Sequence, residues 1–194
     1  MIERIEAMKH LLTILLIGFG LSASAQKAAI KTNVIYDATA SLNIGIEYAW
    51  DEQWSAELSG VYNPFEFKNG KQWQTAFLQP EVRYWFGEAF RGHFVGIHAQ
   101  SGTFDAGNIN LPFNIAPGLK DYSYQGWFAG AGIAYGYQWK LGKQWNMEAT
   151  LGIGYNHYDF EKYGCHVCGG KVGEGTKDRF CITKLGLSVI YVFD

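Results

Sequence analysis

"LNIGIEYAWDEQWSAELSGVY", residues 42–62, decides the fold. Leu42, Ile44, Ile46, Tyr48 and Trp50 alternate with Asn43, Gly45, Glu47 and Ala49, so the hydrophobic period is two and not 3.6. After the polar turn Asp51-Glu52-Gln53, the alternation resumes at Trp54, Ala56, Leu58, Gly60 and Tyr62. These are two strands joined by a short turn.

The same period recurs near residues 30–37, 75–86, 93–100, 124–139, 145–158 and 180–193, which makes eight strands in all. Several reach the about 9–11 residues with which a tilted strand crosses a bilayer. One column of each strand is apolar, as in Leu78/Val82/Tyr84, Val95/Ile97, Met147/Leu151/Ile153 and Leu185/Leu187/Val189/Tyr191/Phe193. No Asp, Glu, Lys or Arg enters those columns. The strand charges, Lys31, Glu47, Glu57, Glu81, Arg83, Glu148 and Lys184, fall in the opposite columns. Facing a lumen, they would form a nearly balanced ion-pair network, since unpaired buried charge is costly. The competing roles for such a set are gating of an ion path and acid/base chemistry. Gly126, Gly130, Gly132, Gly136, Gly152, Gly154 and Gly186 share the inward columns and leave room for larger neighbours. Pro80 predicts a local bulge, because proline cannot donate to a strand ladder.

A soluble barrel with an apolar lumen would alternate too. Two features favour a membrane. After a first turn at "DATA", short and long connections alternate: 51–53 short, 63–74 long, 87–92 short, 101–123 long, 141–144 short, 159–179 long. Outer-membrane barrels combine an even strand number with short periplasmic turns and longer extracellular loops. Trp50, Trp54, Trp139 and Trp145 also stand at the rims of the short turns, with Trp85, Phe86, Phe90, Phe94, Tyr191 and Phe193 near them. Tyr36, Tyr62, Phe65, Tyr124, Trp127 and Tyr155 gather toward the other end. Aromatic rings concentrate where lipid meets water, so two such belts predict the girdles of a transmembrane barrel.

Upstream, "LLTILLIGFGLSASAQ" is an apolar run ending in the small-residue pattern Ala23-Ser24-Ala25, which predicts a signal peptide over residues 1–25, with Met8 as an alternative start. The mature domain is then 26–194, about 169 residues and one domain. A net charge of −2 gives no reason to expect nucleic acid as a partner.

"KTNVIYDATASLNIGIEYAW", "SGVYNPFEF", "LQPEVRYWF", "LKDYSYQGW" and "AGIAYGYQW" together resemble the domain of unknown function numbered 3575, a family of uncharacterised bacterial envelope proteins. The resemblance runs from about Ile30 to the C-terminus. It implies a small outer-membrane β-barrel of a Gram-negative bacterium and supplies no catalytic residues.

"CHVCGGK" places Cys165 and Cys168 three apart in a glycine-rich stretch, with Cys181 further on. In an oxidising compartment the expected reading is a Cys165–Cys168 disulfide. The competing readings are a zinc site of Cys165, Cys168 and Cys181 with His166 or His157 as fourth ligand, and free or redox-active thiols. His98 and Ser101 evoke a nucleophile with its base, but their odd spacing puts them on opposite faces of a strand. The sequence thus predicts an all-β, eight-stranded antiparallel transmembrane barrel in the outer membrane. It is expected to be non-enzymatic, to need no cofactor, to contact outer-membrane lipid, and to present its long loops to a surface protein or glycan. An enzyme acting on lipid or peptide, or a narrow channel, is the alternative.

Overall fold

A computed structural model describes residues 27–64, 66–67, 71–107, 122–164 and 170–193. In chain order the elements are β1 (Lys27–Asn33), the helical turn α1 (Val34–Ala38), β2 (Leu42–Ala49), β3 (Trp54–Asn63), β4 (Glu66–Phe67), β5 (Lys71–Trp85), β6 (Gly92–Gly107), β7 (Ser123–Lys140), β8 (Trp145–Tyr163) and β9 (Lys171–Phe193). Eight antiparallel strands close a ring: β1 pairs with β2, β2 with β3, β3 with β5, each of β5 to β9 with the next, and β9 with β1. β4 only extends the edge of β5. Among the described residues, no helix is long and apolar enough to cross a membrane.

The ring is strongly staggered. From Ile182 the paired residues run Ile153, Ile133, Ile97, Val82, Ala56, Tyr48 and Ala28, and return to β9 at Phe193. One circuit therefore climbs eleven positions along β9. Such stagger accompanies the strand tilt that lets a sheet close. It also leaves a seam. β1 stops at Asn33, opposite Ser188, so the part of β9 before Ser188 has a described strand neighbour only in β8. Asn33 covers the first step of that seam, donating from Nδ2 to the Leu185 carbonyl (3.0 Å) and accepting from the Leu187 N–H at Oδ1 (3.2 Å).

Three local expectations are corrected. Residues 34–37 are helical and not strand, because the Asn33 side chain accepts from the Ile35 N–H and starts a turn. The long connections are shorter than expected, since strand continues to Gly107, resumes at Ser123, and covers residues 159–163 and 171–179. Their outward residues, such as Asp105, Glu161 and Glu174, are polar like a loop while the backbone still pairs. Pro80 makes no bulge: Leu78 opposite Ser101 and Glu81 opposite His98 keep one register, and the ladder to β6 is merely interrupted between them. Bulges lie in β9 instead: Gly152 faces Lys184 and the next residue Ile153 faces Ile182, so Thr183 is extra, and Lys162 faces Gly173 while Tyr163 faces Lys171, so Val172 is extra. The apolar column switches parity at Thr183, from Phe180 and Ile182 to Leu185 and Leu187. That signal stands in the sequence.

Burial is inverted relative to a water-soluble core. The outward columns expose large apolar side chains, Ile97 at 71% and Ile133 at 61% among them. The inward columns bury Lys31, Glu47, Glu57, Glu81, Arg83 and Glu148.

Candidate functional site

The lumen is built in layers. At the short-turn end the floor is apolar: Trp85, Phe94 and Ile190 are fully buried, beside Ala29, Ala49, Phe90 and Val192. Trp85 shares its parity with Glu81 and Arg83, and Phe94 with His98, so both rings point inward. This corrects the expectation that Trp85, Phe90 and Phe94 belong to the outer girdle. Phe90 is carried in by the turn between β5 and β6, whose Ala89 N–H donates to the Glu52 carbonyl and whose Phe90 carbonyl accepts from Asn146 Nδ2. Phe90 holds φ at +65°, a region disfavoured for a bulky residue, and these contacts fix it there. Trp50, Trp54, Trp139 and Trp145 remain outside and exposed at the same rim, the last three packed on Tyr84, Tyr137 and Tyr191.

Above the floor, all seven predicted lumen charges come together. Arg83 is the hub. Its guanidinium reaches Glu47 (3.0 Å), Glu81 (2.8 Å), Glu148 (2.8 Å) and Glu57. Lys31 bridges Glu47 at 2.6 Å, Glu57 at 2.8 Å and Glu148 at 3.4 Å, while Lys184 joins Glu57 at 3.2 Å and Glu81 at 2.5 Å. Glu47 and Glu57 are cross-strand partners, as are Glu57 and Glu81. Three carboxylates in one row would repel, and the three cations wedged among them reverse the sign of that interaction. Floor and cluster are also tied: the Trp85 indole donates to Ser55 Oγ (2.9 Å), which donates to Glu47 Oε1 (2.6 Å), and Arg83 lies 4.3 Å over the Phe94 ring.

Glycines admit these side chains. A Cβ at Gly45 would meet Lys31 Cγ at 2.7 Å, and one at Gly132 would meet both Thr183 Oγ1 (2.7 Å) and His98 Nε2 (2.9 Å). His98 sits in that slot with Nε2 2.8 Å from Thr183 Oγ1. Sequence reasoning placed His98 inside but missed Thr183, because the bulge turns it inward beside Lys184. A ladder of amides follows: Gln79 donates to Gln100, Gln100 to Asn156, and Asn156 to the Tyr158 hydroxyl. A cavity of about 30 Å³ remains beside Glu57, Thr150, Lys184 and Ser188. That is room for about two waters.

At the loop end, half-buried Phe77, Phe104, Phe128 and Tyr158 pack with ring centroids 5.9–6.4 Å apart, and Tyr36 of α1 meets Phe77 at 6.0 Å. Tyr36 and Tyr124 therefore serve the lumen side and not an outer girdle, whereas Tyr62, Trp127 and Tyr155 are exposed on the outer columns. Phe65 lies outside the described residues.

Ser101 is exposed on the outside while His98 is buried within, so the two do not meet. Cys165, His166 and Cys168 lie outside the described residues, as do residues 1–26. Cys181 is a free thiol on the lumen column of β9, 3.7 Å from Asn156 Nδ2. It stands ten residues along a continuous strand from Lys171, roughly 33 Å. His157 points outward to Asp178 (2.7 Å), away from the Cys181 side of the sheet. Among the described residues, no group of three His, Cys, Asp or Glu side chains is arranged to hold a metal ion.

No curated protein matches this chain. A family model described as a protein of unknown function, DUF3575, matches residues 11–193. With nearly its whole length matched, the chain belongs to the DUF3575 family.

Proposed function

We propose that this chain is an outer-membrane β-barrel that performs no chemistry of its own and offers its loop end to a partner outside the cell. The supporting observation is the inversion of polarity: a band of exposed aliphatic residues rimmed by Trp50, Trp54, Trp139 and Trp145 surrounds a lumen of buried charge. Exposed apolar surface on this scale needs a covering, and a ring with no described charge in its apolar band suits lipid. The filled floor at Trp85, Phe94 and Ile190 favours a blind cup over a channel. The separation of Ser101 from His98 removes the one nucleophile–base pair that the sequence suggested.

Surface labelling tests the reading. Tags inserted at Gly70, Asn108 or Gly170 are expected to react in intact cells, and tags at Glu52 or Gly142 only after lysis. Reaction at Gly142 in intact cells would invert the topology. Recovery of the protein in a soluble fraction would end the membrane assignment.

A further inference from the structure

The seam beside β9 is the feature that the lumen does not use. Over residues 171–182, β9 pairs with β8 on one side, and among the described residues no strand pairs with it on the other. That is twelve residues of edge, roughly 40 Å, carrying alternate N–H and C=O groups in the spacing of a ladder. The outward residues of its upper half are Lys171, Glu174, Thr176 and Asp178, with Val172 an extra residue at a second register shift, so this half rises above the apolar band and into water.

The two faces beside the edge differ. Outside, Phe180 and Ile182 are exposed at 73% and 62%. Inside, Lys177 and Arg179 are exposed opposite Tyr158 and Asn156, and neither forms an ion pair among the described residues. We infer that this edge is a docking strand: it takes an extended segment of another polypeptide as an added strand, apolar on the face beside Phe180 and Ile182 and acidic on the face beside Lys177 and Arg179. The inference deepens the surface-partner reading by naming the chemistry of the partner. It does not depend on the membrane, because the ladder alone defines the edge.

The occupant follows from hydrogen bonding. An open edge is satisfied along its length only by another backbone, which supplies donors and acceptors at the same repeat. A saccharide has no such repeat. A second copy would lay β9 against itself antiparallel, and pairing about residue 176 sets Glu174 opposite Asp178, with like charges facing. An acidic partner strand instead meets Lys177 and Arg179, which have no ion-pair partner among the described residues, and cross-strand pairs of opposite charge are favourable.

The probe is a nine-residue peptide of alternating Val and Glu, added to the purified full chain folded in detergent micelles. Amide hydrogen exchange by NMR is expected to show slowed exchange at alternate residues between 172 and 182. Lys177→Glu with Arg179→Glu should weaken binding about tenfold and transfer the preference to an alternating Val/Lys peptide. Peptide N-methylated at alternate residues, which removes backbone donors and keeps the side chains, should not protect the edge. Unchanged exchange at residues 172–182 in saturating peptide overturns the inference. So does equal binding of the N-methylated peptide, or of the Val/Lys peptide by the unaltered protein. A stable dimer protected at the same amides without peptide would assign the edge to self-association and overturn it too. If the chain folds and binds without detergent, the membrane reading falls while the docking strand stands.

Discussion

Arg83 touches all four lumen glutamates, so its removal leaves Glu47, Glu81 and Glu148 short of a partner in a place that water scarcely enters. Breaking a buried network on one side costs far more than the network adds over an apolar filling. Arg83→Met is expected to lower stability by about 3–5 kcal/mol, read from urea unfolding in micelles by tryptophan fluorescence. A loss below about 1 kcal/mol would mean that the cluster is hydrated and loosely held. Gly132→Ala is a finer test: the added Cβ would stand 2.5 Å from the Ile153 carbonyl oxygen as well as against Thr183 and His98. Backbone cannot swing aside, so a cost of about 1–3 kcal/mol is expected, with the His98 ring signals displaced in the NMR spectrum. That the charges belonged inside was legible from parity. That Arg83 is their hub was not, because strands far apart in sequence set those distances.

Among the elements, β8 and β9 carry the clearest tests. Leu151 is exposed on the outer column and Thr150 is buried beside Glu148. If the apolar band lies in lipid as proposed, Leu151→Arg is expected to impair assembly by about 2–4 kcal/mol, the cost of a cation near a bilayer midplane, while Thr150→Arg enters the lumen and still assembles. Equal yields of assembled protein would refute the face assignment. Deleting Thr183 removes the bulge residue and leaves every outward residue of β9 outward, so assembly should persist. An alanine inserted after Leu187 flips one side of the strand and should block it. Above the apolar band, His157 and then Tyr155 hold the Asp178 carboxyl below its usual range through hydrogen bonds. A depressed carboxyl pKa adds stability above the unfolded value of about 3.9 and loses it as pH falls through the folded value. Amide protection near Asp178 should therefore fade in acid below that value, with the band unaffected; fading on alkalinisation instead would reverse the sign.

For the whole molecule, the sequence by itself determined the architecture. Period two, eight repeats and charge confined to one column imply a closed sheet with a polar inside, because each side chain of a strand has only two faces to choose from. The outer rim of Trp50, Trp54, Trp139 and Trp145 was readable in the same way. Tertiary structure alone decided what depends on register between distant strands. The stagger of eleven positions per circuit puts β9 far past the end of β1 and opens the seam. The turn at residues 86–91 folds Phe90 under Trp85 and Phe94 and turns three expected girdle residues into a floor. The single extra residue at Thr183 brings that side chain to His98. Cys181 is set on the lumen column beside Asn156, a neighbour that pairing with β8 alone supplies. A local pattern fixes which way a side chain points, but only the closing of the ring fixes what it meets.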